Sequence, residues 1–449
     1  MVPFFNSPQR QLAAAKRVLA HVAEASDIPV GVQLWDGSSV SLSATAASPL
    51  TVAIRSPGVI GALVRRPSLD NLLRQYATGG IDFQGGDLME FVDAFRGKGR
   101  RPKFRNLNKR LLLSSVLPFV CAPADTGRVR HAYDGDCHGL NSETRNNRDY
   151  IQFHYDIGND FYKLFLDSEM LYSCGYFTDW NNSLEQAQQD KLDMICRKLR
   201  MQPGERFLDI GCGWGALICH AAEKYGVLAH GVTLSQPQHD RVVEKIQERG
   251  LEGRVTVELK DYRHVEGTFD KISSIGMFEH VGIANMPTYF GKINSLLRDR
   301  GIVLNHGISR RAKATSKQFR KRRAEHQLIA KYIFPGGELD HVGHTVDSLE
   351  AANFDVHDVE GWREHYAMTT RHWCERLSAN EAEAIRLVGP ERYRLWVAYL
   401  ACVSGAFRDG SIQIFQVVAS KHTAKGLSEL PPTRADLYQP TETRRRAVA

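Results

Sequence analysis

A glycine-rich segment at residues 206–215 constrains the fold of this chain more than any other feature. It reads R-F-L-D-I-G-C-G-W-G, so that a short apolar run ends in an acid, three glycines follow, and an apolar helical pattern begins at Ala216. Glycine lets a backbone approach a ligand closely, and the N-terminus of the next helix offers unpaired N–H groups. This order is typical of a nucleotide-type cofactor site in an α/β sheet, although ordinary strand–helix turns also use glycine.

The segments around the glycines alternate between strand and helix. Strands are predicted at 206–210, 228–234, 255–259, 269–275 and 301–306, with helical patterns between them. Two later strands at 354–359 and 411–419, separated by a helical insert at 366–400, would complete seven strands. The sequence therefore predicts an α/β fold: a Rossmann-like, doubly wound, mostly parallel seven-stranded sheet.

Composition changes along the 449 residues indicate more than one domain. Residues 1–120 predict a small α+β domain, with a hairpin around Asp36-Gly37 and no catalytic cluster, which favours a binding or assembly role. Residues 121–147 are polar and predict a linker. Residues 148–420 contain the predicted sheet, and 421–449 predict a disordered tail.

Basic residues concentrate in two clusters, although the net charge is only +7. Residues 96–110 and 310–323 each hold eight Lys or Arg and no acid. Such clusters attract polyanions, either nucleic acid or an anionic membrane surface, and each alone is equally compatible with a solvated surface.

Three further observations bear on location and metals. The longest apolar run, 111–123, is too short to span a bilayer, and the N-terminus lacks a signal-peptide pattern. The eight cysteines form no C-x-x-C pair, so neither a zinc site nor a disulfide framework is predicted. Free thiols favour the cytoplasm.

Polar side chains follow the carboxyl ends of five predicted strands, where an open α/β sheet binds its ligands. A dinucleotide site needs an acid after the second strand to hold ribose hydroxyls, but Thr233-Leu234-Ser235 supplies only hydroxyls. The glycines also lack the G-x-G-x-x-G spacing, which disfavours NAD, and the absence of a following G-K-[ST] excludes a P-loop. The side chains that converge are Asp209, Thr233, Ser235, Gln238, Asp261, Tyr262, Glu279, His280 and His306.

Several motifs in order resemble one enzyme family. D-I-G-C-G-W-G is the S-adenosylmethionine loop pattern of Rossmann-like methyltransferases. Together with Y-S-C-G-Y-F, G-V-T-L-S, S-I-G-M-F-E-H-V-G and K-Y-I-F-P-G-G, it closely resembles the cyclopropane-fatty-acyl-phospholipid synthase family over about residues 148–418. Residues 1–120 resemble the N-terminal domain of bacterial members through less specific motifs.

The resemblance implies a class I methyltransferase fold and a reaction. The reaction transfers a methylene group from S-adenosylmethionine to a cis double bond of a phospholipid acyl chain, with bound bicarbonate as general base. It further implies a lipid-binding or assembly role for the N-terminal domain, and a homodimer.

Site residues follow from the resemblance, position by position. The cofactor would contact Tyr172, Ser173, Asp209, Gly211, Gly213, Thr233, Gln238 and Tyr262. Bicarbonate would be held by Cys174, Glu279, His306, the backbone of Ile308, and Tyr366. Aromatic faces that could stabilise a carbocation are those of Phe153, Tyr176, Phe177 and Phe278. Taken singly, Cys174, His306 and Tyr366 fit core packing better than a catalytic role, whereas together, on matching motifs, they favour the catalytic role.

Four positions depart from the family pattern: Gly175, Asn305, Gly307 and Asp340 stand where alanine, leucine, threonine and proline are usual. Two of them flank His306. The alternatives to a cyclopropane product are therefore a methyl-branched or methylated acyl chain, or methylation of another small nucleophile. A catalytically inactive lipid-binding relative is the non-enzymatic alternative.

The second basic cluster follows the fifth strand directly, at the expected mouth of the site. With an acyl-phospholipid substrate, we interpret residues 310–323 as a headgroup or membrane contact. Nucleic acid is disfavoured because no base-reading or stacking module accompanies the cluster. The predicted location is cytoplasmic, with peripheral association at the inner face of the membrane.

Overall fold

The computed structural model describes residues 7–43, 48–96, 108–120, 127, 129–137, 147–155, 157–321, 323–424 and 427–438. Its strands are β1 (Gly31–Gln33), β2 (Ser39–Ser41), β3 (Thr51–Ile54), β4 (Ile81–Gln84), β5 (Arg206–Ile210), β6 (Leu228–Thr233), β7 (Val255–Leu259), β8 (Phe269–Ile275), β9 (Leu297–Arg310), β10 (Phe354–Gly361) and β11 (Ile412–Lys421). Its helices are α1 (Pro8–Ser26), α2 (Pro57–Arg65), α3 (Leu69–Ala77), α4 (Leu88–Arg96), α5 (Lys109–Val120), α6 (Asn147–Tyr155), α7 (Asn159–Lys163), α8 (Leu184–Lys198), α9 (Ala216–Tyr225), α10 (Gln236–Glu248), α11 (Phe278–Val281), α12 (Met286–Leu296), α13 (Ser316–Arg320), α14 (Ala324–Tyr332), α15 (Val342–Ala351), α16 (Arg363–Ala379) and α17 (Glu381–Arg408). Among these described helices, none has the length and apolar character needed to cross a bilayer.

The chain divides into two compact units. The first comprises the described parts of Met1–Tyr133, Arg322–Ile333 and Arg371–Gly405, and the second comprises those of Asp134–Lys321, Phe334–Thr370 and Ala406–Ala449. Two segments of the predicted 148–420 domain thus group with the N-terminal residues. Ion pairs link both segments to the N-terminal residues: Lys331 lies 3.0 Å from Asp70, Arg371 lies 2.8 Å from Asp93 and Arg394 lies 3.1 Å from Asp82. Residues 97–107 of the first basic cluster, and much of the predicted linker, lie outside the described residues.

The first unit contains a small four-stranded sheet in the order β2-β1-β3-β4. The predicted hairpin around Asp36-Gly37 is confirmed, since β1 and β2 pair antiparallel on either side of it. Residues 57–77 form two helices, α2 and α3, rather than one. The break falls at Pro67, because the residue before a proline is disfavoured in a helix, and Ser68 caps α3 through the N–H of Asn71.

The second unit contains the predicted seven-stranded sheet, in the order β10-β11-β9-β8-β5-β6-β7. Strands β5 to β9 run parallel, and β11 is antiparallel to both of its neighbours, so the mostly parallel α/β fold is confirmed. Strand β9 extends well beyond the predicted 301–306 because β11 pairs with it from Ile302 to Arg310. The parallel order brings the carboxyl ends of β5 to β9 to one edge of the sheet.

The last glycine of the loop sets how closely two helices of this unit pack. Gly215 caps α9 with a φ of 81°, in the left-handed region that favours glycine. A Cβ at this position would lie 2.9 Å from the side chain of Val242 on α10, so a larger residue would push α10 away.

The C-terminal segment differs from its prediction. A disordered tail was expected over 421–449, but residues 427–438 pack against the second unit and include a 3-10 helix at Ala435–Leu437. Asp436 pairs with Arg200, Arg434 pairs with Asp358, and the side chain of Leu437 is only 2% exposed. Glu429 also pairs with Arg300, so one buried leucine and three ion pairs hold a segment whose composition resembles a disordered chain. Residues 439–449 lie outside the described range.

We expect Leu437→Ala to lower the free energy of unfolding by about 2–3 kcal/mol, since it removes a buried leucine side chain. The measurement is urea denaturation followed by tryptophan fluorescence. Leu427→Ala is the matched control, because Leu427 is 86% exposed and its truncation should change stability by less than about 0.5 kcal/mol. Equal denaturation midpoints for the two variants would contradict the docking of this segment.

Candidate active site

A cavity lies at the carboxyl edge of the seven-stranded sheet, beyond the ends of β5, β6, β7 and β8. Its walls come from the glycine loop, from α8 and α10, and from the segment around residue 172. All eight residues that the sequence assigned to cofactor contacts line it: Tyr172, Ser173, Asp209, Gly211, Gly213, Thr233, Gln238 and Tyr262. Residues scattered over 91 positions of the chain thus meet in one cavity because parallel strands end at the same edge.

The backbone of the loop opens toward this cavity at Gly213. Its φ is 54°, and a Cβ built there would meet no protein atom within 4 Å. The space in front of Gly213 is therefore available to a ligand, and a side chain would project into it. Gly211 also has a positive φ, of 81°, but its Cβ would lie 3.1 Å from Met277.

Asp209 ends β5 as a buried carboxylate beside the loop. Its Oδ1 accepts a hydrogen bond of 2.6 Å from the hydroxyl of Ser273. Burial raises the pKa of Asp209 to about 6, against the opposing effects of Ser273 and of the Lys191 charge. The carboxylate is thus fixed in orientation, as expected for a group that shapes a loop.

Thr233 and Gln238 form a hydrogen-bonded pair after β6. The Thr233 hydroxyl donates to Gln238 Oε1 at 2.8 Å and accepts from the backbone N–H of Ser235 at 3.2 Å. Because the amide oxygen of Gln238 is engaged, its NH₂ group remains a donor for a polar ligand. Tyr262 begins a 3-10 helix, and its ring packs at 5.5 Å from that of Tyr289 while it also lines the cavity. The Tyr262 ring therefore both packs in the core and forms part of the cavity wall.

A buried lysine in this cavity was missing from the sequence prediction. Lys191 is 1% exposed, and its Nζ donates to the Ser173 hydroxyl at 2.8 Å. Burial lowers the pKa of Lys191 to about 8, against the opposing effect of Asp167. Its position on α8 offered a signal, since Lys191 shares the apolar face with Ala187 and Ile195 at helical spacing.

None of the five predicted catalytic residues lines that cavity, within the part of the chain that the structure describes. Contacts join Cys174, His306 and Tyr366 through Trp362 and join Glu279 to Ile308, and we call these five residues the second cluster. Trp362, which the sequence did not single out, lies among them. Its carbonyl oxygen is 3.8 Å from Cys174 Sγ and accepts the backbone N–H of Tyr366 at 3.1 Å. Its ring lies 5.4 Å from that of His306 in an edge-on arrangement. Burial raises the pKa of the Cys174 thiol, which therefore stays protonated.

Glu279 and Ile308 are joined by a hydrogen bond. The Ile308 N–H donates to Glu279 Oε1 at 2.5 Å, which links α11 to β9. Glu279 is 2% exposed, and its Oε2 has no hydrogen-bond partner among the described residues. Burial raises the pKa of Glu279 to about 7, so its proton can be held or released near neutrality.

His306 is also buried with one orphaned atom. Its Nδ1 lies 2.9 Å from Gln416 Nε2, and its Nε2 finds no hydrogen-bond partner in the described chain. Burial and the nearby charges of Lys191 and Lys198 hold the pKa of His306 well below its usual value. The imidazole is therefore neutral. Buried polar atoms without a hydrogen-bond partner are rare in proteins, so these two are candidates for contact with a ligand. The described residues contain other such atoms, for example Gln188 Oε1 and Ser274 Oγ.

Packing accounts for the departures beside His306. A Cβ at Gly307 would lie 2.7 Å from the ring of Phe278, so this ring fills the space of the usual threonine. Asn305 accepts a hydrogen bond of 3.1 Å from the hydroxyl of Tyr289. The replacements thus bring an aromatic ring and a buried hydrogen bond to the site.

The two departures farther from His306 also have local partners. Asp340 accepts the N–H of His341 at 2.7 Å and contacts His344 Nδ1 at 2.5 Å, which secures the start of α15. Gly175 lies where a Cβ would be 3.2 Å from Ala187, which leaves little room for the usual alanine.

Aromatic rings surround the second cluster. Tyr176 stacks on Trp362 at 4.8 Å, and Phe177 stacks on His365 at 6.3 Å. Phe278 packs against Tyr289. Tyr176, Phe177 and Phe278 are thus packed against other aromatic rings, as core residues are.

Comparisons with known proteins identify the family. The family model described as mycolic acid cyclopropane synthetase matches residues 142–417. A probable fatty acid methyltransferase of Pseudomonas putida is 35% identical over 92% of this chain and 97% of its own length. The cyclopropane-fatty-acyl-phospholipid synthase of Escherichia coli is 42% identical over 61% of this chain and 68% of its own length. A crystal structure of the mycolic acid cyclopropane synthase CmaA1 with SAH and CTAB is 34% identical, with a TM-score of 0.58 over 62% of this chain and all of that one.

The raised pKa of Glu279 predicts a pH dependence of stability. Its folded pKa of about 7 exceeds the ordinary value of 4.5, so the folded state binds more protons between these values and stability falls as pH rises through them. We expect Glu279→Gln to remove this loss. The unfolding free energy of the variant should gain on wild type by about 3 kcal/mol between pH 4.5 and 7.5.

Urea denaturation at the two pH values measures this gain. Glu266→Gln is the control, because Glu266 is exposed. A pH profile of Glu279→Gln that parallels the wild-type profile would refute the buried, proton-holding state of Glu279.

Proposed function

Because this chain belongs to the mycolic acid cyclopropane synthetase family, it is an S-adenosylmethionine-dependent methyltransferase, and we propose that it converts a cis double bond of an unsaturated phospholipid acyl chain into a cyclopropane. The observation that most supports this proposal is that Glu279 Oε2 and His306 Nε2 are buried and find no hydrogen-bond partner among the described residues, at positions where the family resemblance places the ligands of the base.

The first cavity fits S-adenosylmethionine. Open space in front of Gly213 accommodates a ligand close to the backbone, and the NH₂ of Gln238 offers a donor for ribose hydroxyls. Lys191 and Ser173 offer polar groups at the end assigned to the methionine part. The solved structure of CmaA1 was obtained with SAH, which supports the same use of the corresponding cavity.

The second cluster fits a small oxyanion such as bicarbonate. A neutral imidazole nitrogen, the Cys174 thiol and the Tyr366 hydroxyl can donate to its oxygens. Glu279, with a pKa of about 7, can hold or accept the shared proton. The negative charges of bicarbonate and of an ionised Glu279 would repel each other at short distance, which agrees with a Glu279 carboxyl that protonates near neutrality.

The residues of this chain would hold the reactants in position and exclude water during methylene transfer to the alkene. When bound, S-adenosylmethionine supplies an electrophilic methyl group, and bicarbonate would accept a proton from it after transfer. With the donor bound, one alkene carbon would take the methyl group while S-adenosylhomocysteine would leave, and loss of one proton from the transferred carbon would let the ring close. Tyr176 and Phe278 would face the cationic acyl chain, and Glu279, His306 and Tyr366 would hold the base nearby.

One observation favours the alternative product. The P. putida relative that matches almost the whole chain is described as a probable fatty acid methyltransferase, whereas the E. coli synthase matches 61% of it. The Phe278 ring in the space of the usual threonine changes the wall next to His306. A shifted base would remove a proton from an adjacent chain carbon instead, and the product would be a methylated alkene.

We expect purified protein, S-adenosylmethionine and vesicles of unsaturated phospholipid to yield acyl chains heavier by one CH₂, as measured by mass spectrometry. Proton NMR of the product should show that the alkene signal has disappeared. If the acyl chains gain no mass, the proposed activity on this substrate is wrong. A persisting alkene signal in the heavier product would favour a methylated alkene as the product.

Glu279→Ala tests, in the same assay, whether Glu279 serves the proton transfer rather than the binding of the cofactor. Product should fall by at least about 100-fold, as is typical when a proton-transfer group is lost. Binding of S-adenosylhomocysteine, measured by calorimetry, should survive. Loss of that binding would mean that Glu279 serves the cofactor cavity, and Glu266→Ala is the exposed control.

We also propose that the enzyme acts at an anionic membrane surface on the cytoplasmic side. Lys313, Lys317 and Lys321 are exposed directly after β9. In the first unit, α5 begins with exposed Lys109 and Arg110 and exposes Leu113 and Leu117 by 69% and 59%. Exposed leucines one helical turn apart, next to basic residues, are typical of a helix that lies in a lipid interface. The homodimer implied by the family stays a prediction.

We expect Lys313→Glu/Lys317→Glu to weaken binding to anionic vesicles by at least about tenfold at low salt, because each lysine near such a surface contributes about 1 kcal/mol. Vesicle co-sedimentation measures the binding, and the difference should shrink at high salt. The control is Lys224→Glu/Arg254→Glu, an equal charge change at exposed positions before β6 and β7, on the amino edge of the sheet.

Leu113→Ser/Leu117→Ser tests the exposed leucines of α5 in the first unit. It should weaken vesicle binding at every salt concentration, because burial of apolar side chains is not screened. Unchanged binding of both double variants would exclude the proposed membrane surface.

A further inference from the structure

Three side chains, those of Lys198 on α8, Gln416 on β11 and His306 on β9, form a hydrogen-bonded row. Gln416 on β11 lies directly opposite His306 on β9 and, on its other side, directly opposite Glu360 on β10. Its Nε2 is 2.9 Å from His306 Nδ1, and its Oε1 is 2.7 Å from Lys198 Nζ. Lys198 in turn forms an ion pair with Glu360. Lys198, Gln416 and His306 are each at most 1% exposed, so water does not compete for these contacts.

Donor and acceptor chemistry fixes the orientation of each group in this row. A lysine ammonium donates hydrogen bonds and accepts none, so the amide oxygen of Gln416 must face Lys198. The NH₂ group of Gln416 must then face His306, and Nδ1 must accept from it. A neutral imidazole carries one proton, which is therefore on Nε2.

The charge states support this reasoning. Lys198 keeps its proton because Glu360 pairs with it, and the Lys198 charge holds the pKa of Glu360 below its usual value despite burial. His306 is neutral because burial and the charges of Lys191 and Lys198 oppose a second proton. The row therefore contains one fixed positive charge, on Lys198. The side chain of Gln416 lies between this charge and the imidazole of His306.

We propose that Lys198 and Gln416 are positioning residues that hold His306 in its Nε2–H tautomer, so that His306 donates a hydrogen bond to an anion and does not act as the base. The identity of the anion rests on the proposed function, whereas the tautomer follows from the hydrogen bonds of the protein alone. An Nε2–H group has no lone pair for a substrate proton, so proton removal falls to the bound anion together with Glu279.

Nuclear magnetic resonance of the intact chain labelled with ¹⁵N-histidine tests the tautomer without any substrate. Long-range proton–nitrogen correlation distinguishes a protonated ring nitrogen from an unprotonated one, and His306→Asn identifies the signals. We expect a protonated Nε2 and an unprotonated Nδ1 in the wild-type protein at neutral pH. A protonated Nδ1 would overturn the proposal.

Gln416→Glu tests whether the row sets the tautomer. A carboxylate has no N–H to offer, so the Nδ1 of His306 should become protonated and donate to it. Gln413→Glu is the matched control, because Gln413 is half-buried on the opposite face of the same strand. A Gln416→Glu protein whose Nδ1 stays unprotonated would overturn the role of Gln416.

Lys198→Gln provides an independent variant should Gln416→Glu fail to fold. Without an obligatory donor at position 198, the Gln416 amide can adopt either orientation, and both tautomers of His306 should be populated. An unchanged, single tautomer in Lys198→Gln would overturn the role of Lys198.

A titration with sodium bicarbonate separates this inference from the proposed function. We expect the Nε2 signal of His306 to shift with bicarbonate and not with sodium chloride at equal ionic strength. In Gln416→Glu, bicarbonate should bind about 10- to 100-fold more weakly, as expected when one hydrogen bond to a charged group is lost. An Nε2–H tautomer without any bicarbonate shift would support the positioning role and refute bicarbonate as the base.

Discussion

The antiparallel strand β11, inserted between β9 and β10, is the constraint on which the chemistry of this site depends. Its pairing register brings Gln416 into line with His306 on one side and Glu360 on the other. Since side chains of a strand alternate between faces, a shift by one residue would turn Gln416 away and leave His306 Nδ1 without its contact. Sheet register, which backbone hydrogen bonds determine, thereby controls which nitrogen of a histidine carries the proton.

The site also concentrates ionisable groups that are expensive to bury. Four of them are nearly inaccessible to water: Asp209, Lys191, Lys198 and Glu279. Burial raises the pKa of the two acids and lowers the pKa of the two lysines, so it favours the neutral form of each. Lys198 is compensated by Glu360, whereas Glu279 receives a single backbone N–H. Groups that cost stability in this way are typical of functional sites, because a dry environment strengthens electrostatic interactions with a bound ligand.

Much of the fold and of the cofactor cavity could be predicted from the sequence. Strand periodicity and the glycines at 211 and 213 are local signals, and parallel strands bring their carboxyl ends to one edge whatever the details of packing. All eight predicted cofactor residues consequently line one cavity. Trp362 and Gln416 could not be predicted, because each looks like an ordinary residue of a strand or its end until a partner strand aligns it. The packed segment at 427–438 was missed because a few long-range contacts hold it against its composition.

The sequence by itself determined the parallel sheet and the glycine loop, because these depend on residue types at fixed short spacings, and the resemblance of its motifs to one family indicated the class of cofactor. Only the tertiary structure decided how the base site is built. It placed the Phe278 ring in the space left by Gly307, and it aligned Lys198, Gln416 and His306. It also buried Glu279 with one oxygen that has no hydrogen-bond partner among the described residues. The physical reason is that desolvation, hydrogen-bond direction and side-chain fit depend on atoms far apart in the chain, and folding alone brings them together.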